Sequence, residues 1–165
     1  MRGSGVLGAL RGVRRGFVVL LAAAGLSTGV VVQAAGASSK LQVVKGSFNA
    51  KSVFRASAAG GDELIAGTYT GGLTGSVIDT GTLVVRSNGS FSGHGIEVCD
   101  PCTIAGRTGA FTATYSYSSS GSGGAFSGTE VFTRGFGHLA GLAGGGSFRS
   151  SSNANVQTYS YSYRF

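Results

Sequence analysis

Few residues in this chain have types and spacing that could do chemistry. Cys99 and Cys102 are its only cysteines, and they flank its only proline in Cys99-Asp100-Pro101-Cys102. A redox CxxC sits at a helix start, where the helix dipole lowers the thiol pKa. This one lies between "HGIEV" and "TIAGRTG", which read as extended. A metal reading would recruit His94 and His138, whose spacing fits no zinc pattern. A structural disulfide is therefore favoured, stapling a small loop and worth roughly 2 kcal/mol. Proline at the third turn position disfavours a plain type I turn, so a cis-proline or a wider loop is expected. Glu130 is the second candidate. It alternates with Phe126 and Phe132, and a carboxylate on an aromatic face must be paired or protonated. Its pKa should rise, which is the condition of an acid–base group. A structural role, through Arg107, Arg134 or a tyrosine hydroxyl, is the favoured reading. Glu97 shares parity with Phe91, although Gly93 and Gly95 could conceal a bulge that turns it outward.

The elements carrying these residues read as strands. Two-residue alternation runs throughout, punctuated by glycine, and no segment keeps a helical period. Val44, Gly46, Phe48, Ala50, Ser52 and Phe54 share one face, with Lys45 and Arg55 on the other. Tyr69, Leu73 and Val77 align in "TYTGGLTGSV". Asn88-Gly89 predicts a two-residue hairpin with positive φ at both residues. Further stripes are Phe111, Ala113, Tyr115 and Tyr117, and at the end Tyr159, Tyr161, Tyr163 and Phe165. Tyrosine stripes are cross-strand packing by default, or a polar-tipped lining for an apolar ligand. About eight strands at this spacing suit a meander or a barrel. Glycine, at 31 residues, should mark bends and bulges.

Bulk properties bound the function. The chain has 165 residues and a net charge of +7. Four arginines fall in the first fifteen residues, and the remaining basic residues are scattered among acids. No Lys/Arg cluster suits phosphates, so nucleic acid is not an expected partner. Residues 1–37 have a basic start, a soft apolar run from Phe17 and Ala35-Gly36-Ala37, the layout of a signal peptide. Arg14-Arg15 also suits a twin-arginine signal. The expected mature chain is one domain, 38–165, exported to a periplasmic, secreted or cell-surface space.

Three stretches carry a family resemblance: "TYTGGLTG" (68–75), "GSFSGHGIEVCDPCTIAGRTGAF" (89–111) and "GHLAGLAGGGSF" (137–148). Tyr69, Gly71, Gly75, Glu97, Gly106, Arg107, Gly109, Phe111, Gly141, Leu142, Gly144 and Phe148 resemble the pattern of the bacterial domain of unknown function 3224, which belongs with the allene oxide cyclase and dirigent barrels. "CDPC" departs from that pattern as an insertion. The resemblance implies an all-β fold, a closed eight-stranded antiparallel barrel with a central cavity. It points to a small apolar ligand lined by Tyr69, Phe111, Tyr115, Phe126, Phe132 and Tyr161, with no cofactor and no metal. An isomerase or cyclase using Glu130 or Glu97 is the enzymatic alternative, and self-association is a further expectation. A rival remains. The terminal "YSYSYRF" resembles the last strand of outer-membrane barrels, which turn their apolar face outward to lipid. Against it, few strands read as long as the roughly 9–11 residues that a span needs.

Overall fold

The computed structural model describes residues 40–57, 59–121, 124–151 and 155–165. The expected leader, 1–37, lies outside the described residues. Eight strands follow one another: β1 (Gln42–Arg55), β2 (Gly60–Gly71), β3 (Leu73–Val85), β4 (Phe91–Ile104), β5 (Arg107–Ser119), β6 (Phe126–Gly137), β7 (Ala143–Ser150) and β8 (Val156–Arg164). Each pairs antiparallel with its neighbour, and β8 returns to β1, from Gln42↔Tyr163 to Asn49↔Val156, closing the barrel. Closure leaves no open sheet edge.

The alternation fixes which face is inside. Phe111, Ala113, Tyr115, Phe132, Phe148, Tyr159, Tyr161 and Tyr163 are all buried, while Thr114, Ser116, Thr129 and Thr158 between them are exposed. The C-terminal tyrosines therefore point to the axis, the reverse of what a lipid-facing aromatic strand requires. Strand length argues less than expected against a span. β1 to β6 run 12–14 residues each, because sequence alternation breaks at glycines where the ladder does not.

Several of those glycines are seats for rings rather than bends. A Cβ on Gly81 or Gly95 would lie 2.6 Å from the Tyr115 hydroxyl, and one on Gly67 would lie 2.5 Å from the Phe48 ring. Gly93 and Gly128 likewise underlie Tyr117 and Phe148. A narrow barrel can hold this many inward rings only where the facing position has no side chain.

Three local expectations are corrected. The register of β1 against β2 shifts between Ala50 and Ser52. That bulge reverses parity, leaving Phe54 65% exposed and bringing Arg55 round to the barrel mouth. "TYTGGLTGSV" is two strands, not one. The chain folds back at Gly72, whose N–H donates to the Lys45 carbonyl at 3.0 Å, after Gly71 at φ 105°. The turn after β3 spans residues 86–90, and Gly89 has a positive φ but Asn88 does not. The Asn88 Oδ1 instead accepts from the Ser90 N–H (3.0 Å) and hydroxyl (2.7 Å), a side-chain-built turn.

The two barrel ends differ. Around the turns at Gly72, 105–106 and 138–142, Leu73, Ile104, Phe111, Leu139 and Leu142 form an apolar plug. The opposite end, with the turn at 86–90, holds an open cavity above the middle of the barrel among the described residues.

Candidate functional site

The open half is a dead-ended cup of about 130 Å³. Phe91, Phe126, Tyr117 and Phe148 wall it, and Arg55, Asn155 and Gln157 rim it. Four carboxyl groups face into it: Glu63, Asp79, Glu97 and Glu130, each at most 7% exposed. The whole chain has only six acids. Arg55 is the one lysine or arginine among the lining residues, and it is tied to Glu63 at 2.8 Å.

Barrel register explains the convergence. Asp79 on β3 stands directly opposite Glu97 on β4. Farther round, Gly81, Gly95, Tyr115 and Glu130 pair in succession across β3–β6, and Glu130 and Tyr161 each pair with Gly146 of β7. Two carboxylates directly opposite would repel. Here both are held in the protonated form past the usual carboxylate range: burial first, then the charges of Glu130 and Asp79, raise the Glu97 pKa well above it. Burial pushes Asp79 up to about 8, helped by the charge of Glu130. Burial also raises Glu130 to about 7, although hydrogen bonds from Tyr161 and Tyr69 favour its charged form.

Tyr69 joins the carboxyls. Its hydroxyl lies 2.8 and 3.0 Å from the two Glu97 oxygens and 3.1 Å from Glu130 Oε2. Tyr161 donates to the same Glu130 oxygen at 2.5 Å. One Tyr69 proton cannot serve both glutamates at once, so the cluster is a proton-sharing network. Burial leads the causes that raise the Tyr69 and Tyr161 pKa values, so both hydroxyls stay protonated as donors. Among the described residues, three buried side-chain atoms have no hydrogen-bond partner: Asp79 Oδ1, Glu130 Oε1 and the Tyr115 hydroxyl.

Of the expected site residues, Glu130, Glu97, Tyr69, Tyr115, Phe126 and Tyr161 line the cup. Phe111 and Phe132 do not. They pack edge-to-face at 5.0 Å in the closed half, because β5 and β6 carry them past the cup floor. The anticipated salt bridge of Glu130 with Arg107 or Arg134 is not made. Arg107 lies over the Phe165 ring and Arg134 over Phe136, both exposed, and tyrosines serve Glu130 instead. No bulge intervenes between Phe91 and Cys99, so Glu97 stays inward. Cys99 and Cys102 are fully buried at disulfide distance (Cα–Cα 5.7 Å), flanking a cis Asp100–Pro101 bond in a bulge of β4. His94 and His138 are exposed, whereas the cysteines are turned inward and buried. Among the described residues, no three of His, Cys, Asp or Glu are arranged to hold a metal ion. Sequence reading missed Asp79 and Glu63. Both had a signal: Asp79 keeps the parity of Val77 and Leu83, and Glu63 that of Ile65 and Tyr69.

Fold and site together define a closed eight-stranded antiparallel barrel with an acidic, tyrosine-bearing cup. No family model and no curated protein matches the chain. Among solved structures it is similar to a Shewanella oneidensis protein of unknown function from the DUF3224 family, at 20% identity and a TM-score of 0.62, over 76% of this chain and 98% of that one. The likeness is one of fold. No helix of the described residues is long and apolar enough to cross a membrane.

Proposed function

We propose that this barrel is an exported receptor cup for a small molecule with an apolar, ring-sized body, of the allene oxide cyclase/dirigent type. One observation carries the reading: a dead-ended cavity of about 130 Å³ walled by aromatic rings, with unpartnered polar atoms on its floor. Most ligand sites combine an apolar wall with a few polar groups in this way. The test is ligand-observed NMR with 2-phenylethanol. Binding that is lost when Ile65→Trp fills the cup supports the reading. A wild-type protein that ignores every ring-sized probe, neutral or charged, refutes it. Export is checked by N-terminal sequencing of secreted protein, which should begin near Ser38.

A second reading, isomerase or cyclase, is favoured by Tyr69 bridging Glu97 and Glu130. Glu130, with an ordinary carboxyl raised to about 7, would take a substrate proton at neutral pH, and the protonated Glu97 would return one. Glu130→Gln should then keep fold and binding but lose turnover. A fully active variant would remove Glu130 from the chemistry.

A further inference from the structure

The charge of the cup points to a narrower ligand class. Resting on the reading of the cup as a ligand site, we propose that its occupant is a small organic ammonium, its cationic head held by Asp79, Glu130 and Tyr115 and its apolar body against the Phe126 and Phe148 rings.

Charge is segregated in this fold. A chain of net charge +7 places four of its six acids inside the barrel. Glu63 has Arg55, but Asp79, Glu97 and Glu130 have no cation among the lining residues. Buried carboxyls of this kind are stable only with a counter-charge or a proton.

Donors and acceptors in the cup are unevenly matched. The hydroxyls of Tyr69, Tyr161 and Tyr117 already donate to carboxyl oxygens. The atoms left over are Asp79 Oδ1, Glu130 Oε1 and the Tyr115 oxygen, each able to accept. Tyr115 is an observation separate from the acids: it is 8% exposed, lines the cup and has no partner for its hydroxyl. A primary ammonium brings three donors and a positive charge. A neutral alcohol brings one donor, and an anion would meet three carboxyls. A metal ion needs donors converging at bonding distance, which these side chains do not offer. Aromatic walls beside a cation add a further attraction.

The groups facing the head come from seven strands: Arg55 on β1, Glu63 and Tyr69 on β2, Asp79 on β3, Glu97 on β4, Tyr115 and Tyr117 on β5, Glu130 on β6 and Tyr161 on β8. From β7 comes only the Phe148 ring. Without a cation, protons neutralise the carboxyls, Asp79 to about pH 8 and Glu130 to about 7. Ammonium binding therefore displaces protons, and affinity should rise from pH 6 to 8.5.

Isothermal calorimetry on the purified protein tests this with three probes of one shape: 2-phenylethylammonium, 2-phenylethanol and 3-phenylpropanoate. At pH 8.5 the ammonium should bind at least about tenfold tighter than the alcohol, roughly the value of one added charge-assisted bond, and the anion weakest. At pH 7 the heat should vary with buffer ionisation enthalpy, reporting proton release. Asp79→Asn with Glu130→Gln should abolish the preference while keeping alcohol binding. If that variant does not fold, wild-type proton release decides alone. Equal or better binding of the alcohol overturns the ammonium assignment and leaves the cup reading standing. No binding by any probe overturns both.

Discussion

The buried carboxyls should make the ligand-free barrel lose stability as pH rises, the reverse of an ordinary salt-bridged protein. In the unfolded chain Asp79 and Glu130 release their protons near pH 4. In the barrel Glu130 holds its proton to about 7 and Asp79 to about 8, and Glu97 is also held well above its usual range. Between those limits the folded state binds more protons than the unfolded one, so stability falls with pH. The stabilising difference is complete below pH 4 and is lost progressively through pH 7–8. Each carboxyl contributes a slope of up to ~1.4 kcal/mol per pH unit while it is protonated only in the fold. For Glu130 alone, from 4.5 to about 7, that amounts to about 3 kcal/mol. The three groups interact, so their joint titration is one broad transition rather than a sum of three. The assay is urea unfolding at pH 5, 6, 7, 8 and 9, read as midpoint and slope. Stability should drop by a few kcal/mol across the series. Glu130→Gln keeps the Tyr161 donor satisfied and cannot ionise, and Asp79→Asn acts likewise, so the double variant should give a flatter profile. A wild-type profile that is level or climbs from pH 5 to 8 would refute the account of these groups as proton-holding in the fold.

Three other perturbations probe separate parts of the molecule. Gly93→Ala puts a methyl where the Tyr117 ring lies and should cost about 1–3 kcal/mol of overpacking; Gly121→Ala, with nothing within 4 Å, should be near neutral in the same thermal melt. Leu139→Ala empties a fully buried position in the apolar plug and should lower stability by about 2–5 kcal/mol without altering probe binding in the cup. Tyr161→Phe removes a donor that favours the charged form of Glu130, so the Glu130 carboxyl carbon should titrate at higher pH by NMR, and an unmoved midpoint would disconnect the two.

Much of the strand pattern was legible because an eight-stranded barrel has one narrow axis and every strand alternates about it. Phe126, Glu130 and Phe132 could be put on one face from spacing alone, as could Tyr159, Tyr161 and Tyr163. What spacing could not supply was any event that changes parity or direction. The β1 bulge near Lys51 has no glycine or proline to mark it, yet it turns Arg55 into the mouth. Gly72 reverses the chain inside a run that alternates evenly from Tyr69 to Val77, so the face was right and the connectivity was not. The carboxyl cluster was hidden for a different reason. Asp79, Glu97 and Glu130 are 51 residues apart end to end and meet only through register across β3 to β6.

The composition of the axis also bears on why the cup exists. A barrel of this size needs apolar volume to be stable, and its closed half has it in Leu73, Ile104, Phe111 and Leu139. The open half instead combines glycine seats, tyrosine hydroxyls and three carboxyls without a partner cation. Each strand glycine costs up to about 1 kcal/mol in chain entropy, and each buried carboxyl adds a penalty above pH 7. Packing alone would favour Val or Ile at Asp79 and Glu130, as at Val77 two residues before Asp79. Destabilising groups kept around one cavity are what the proposed ligand site requires. Gly81 and Gly95 are left bare beneath the Tyr115 hydroxyl, yet among the described residues that hydroxyl has no hydrogen-bond partner, which is the opening the proposed ammonium would use.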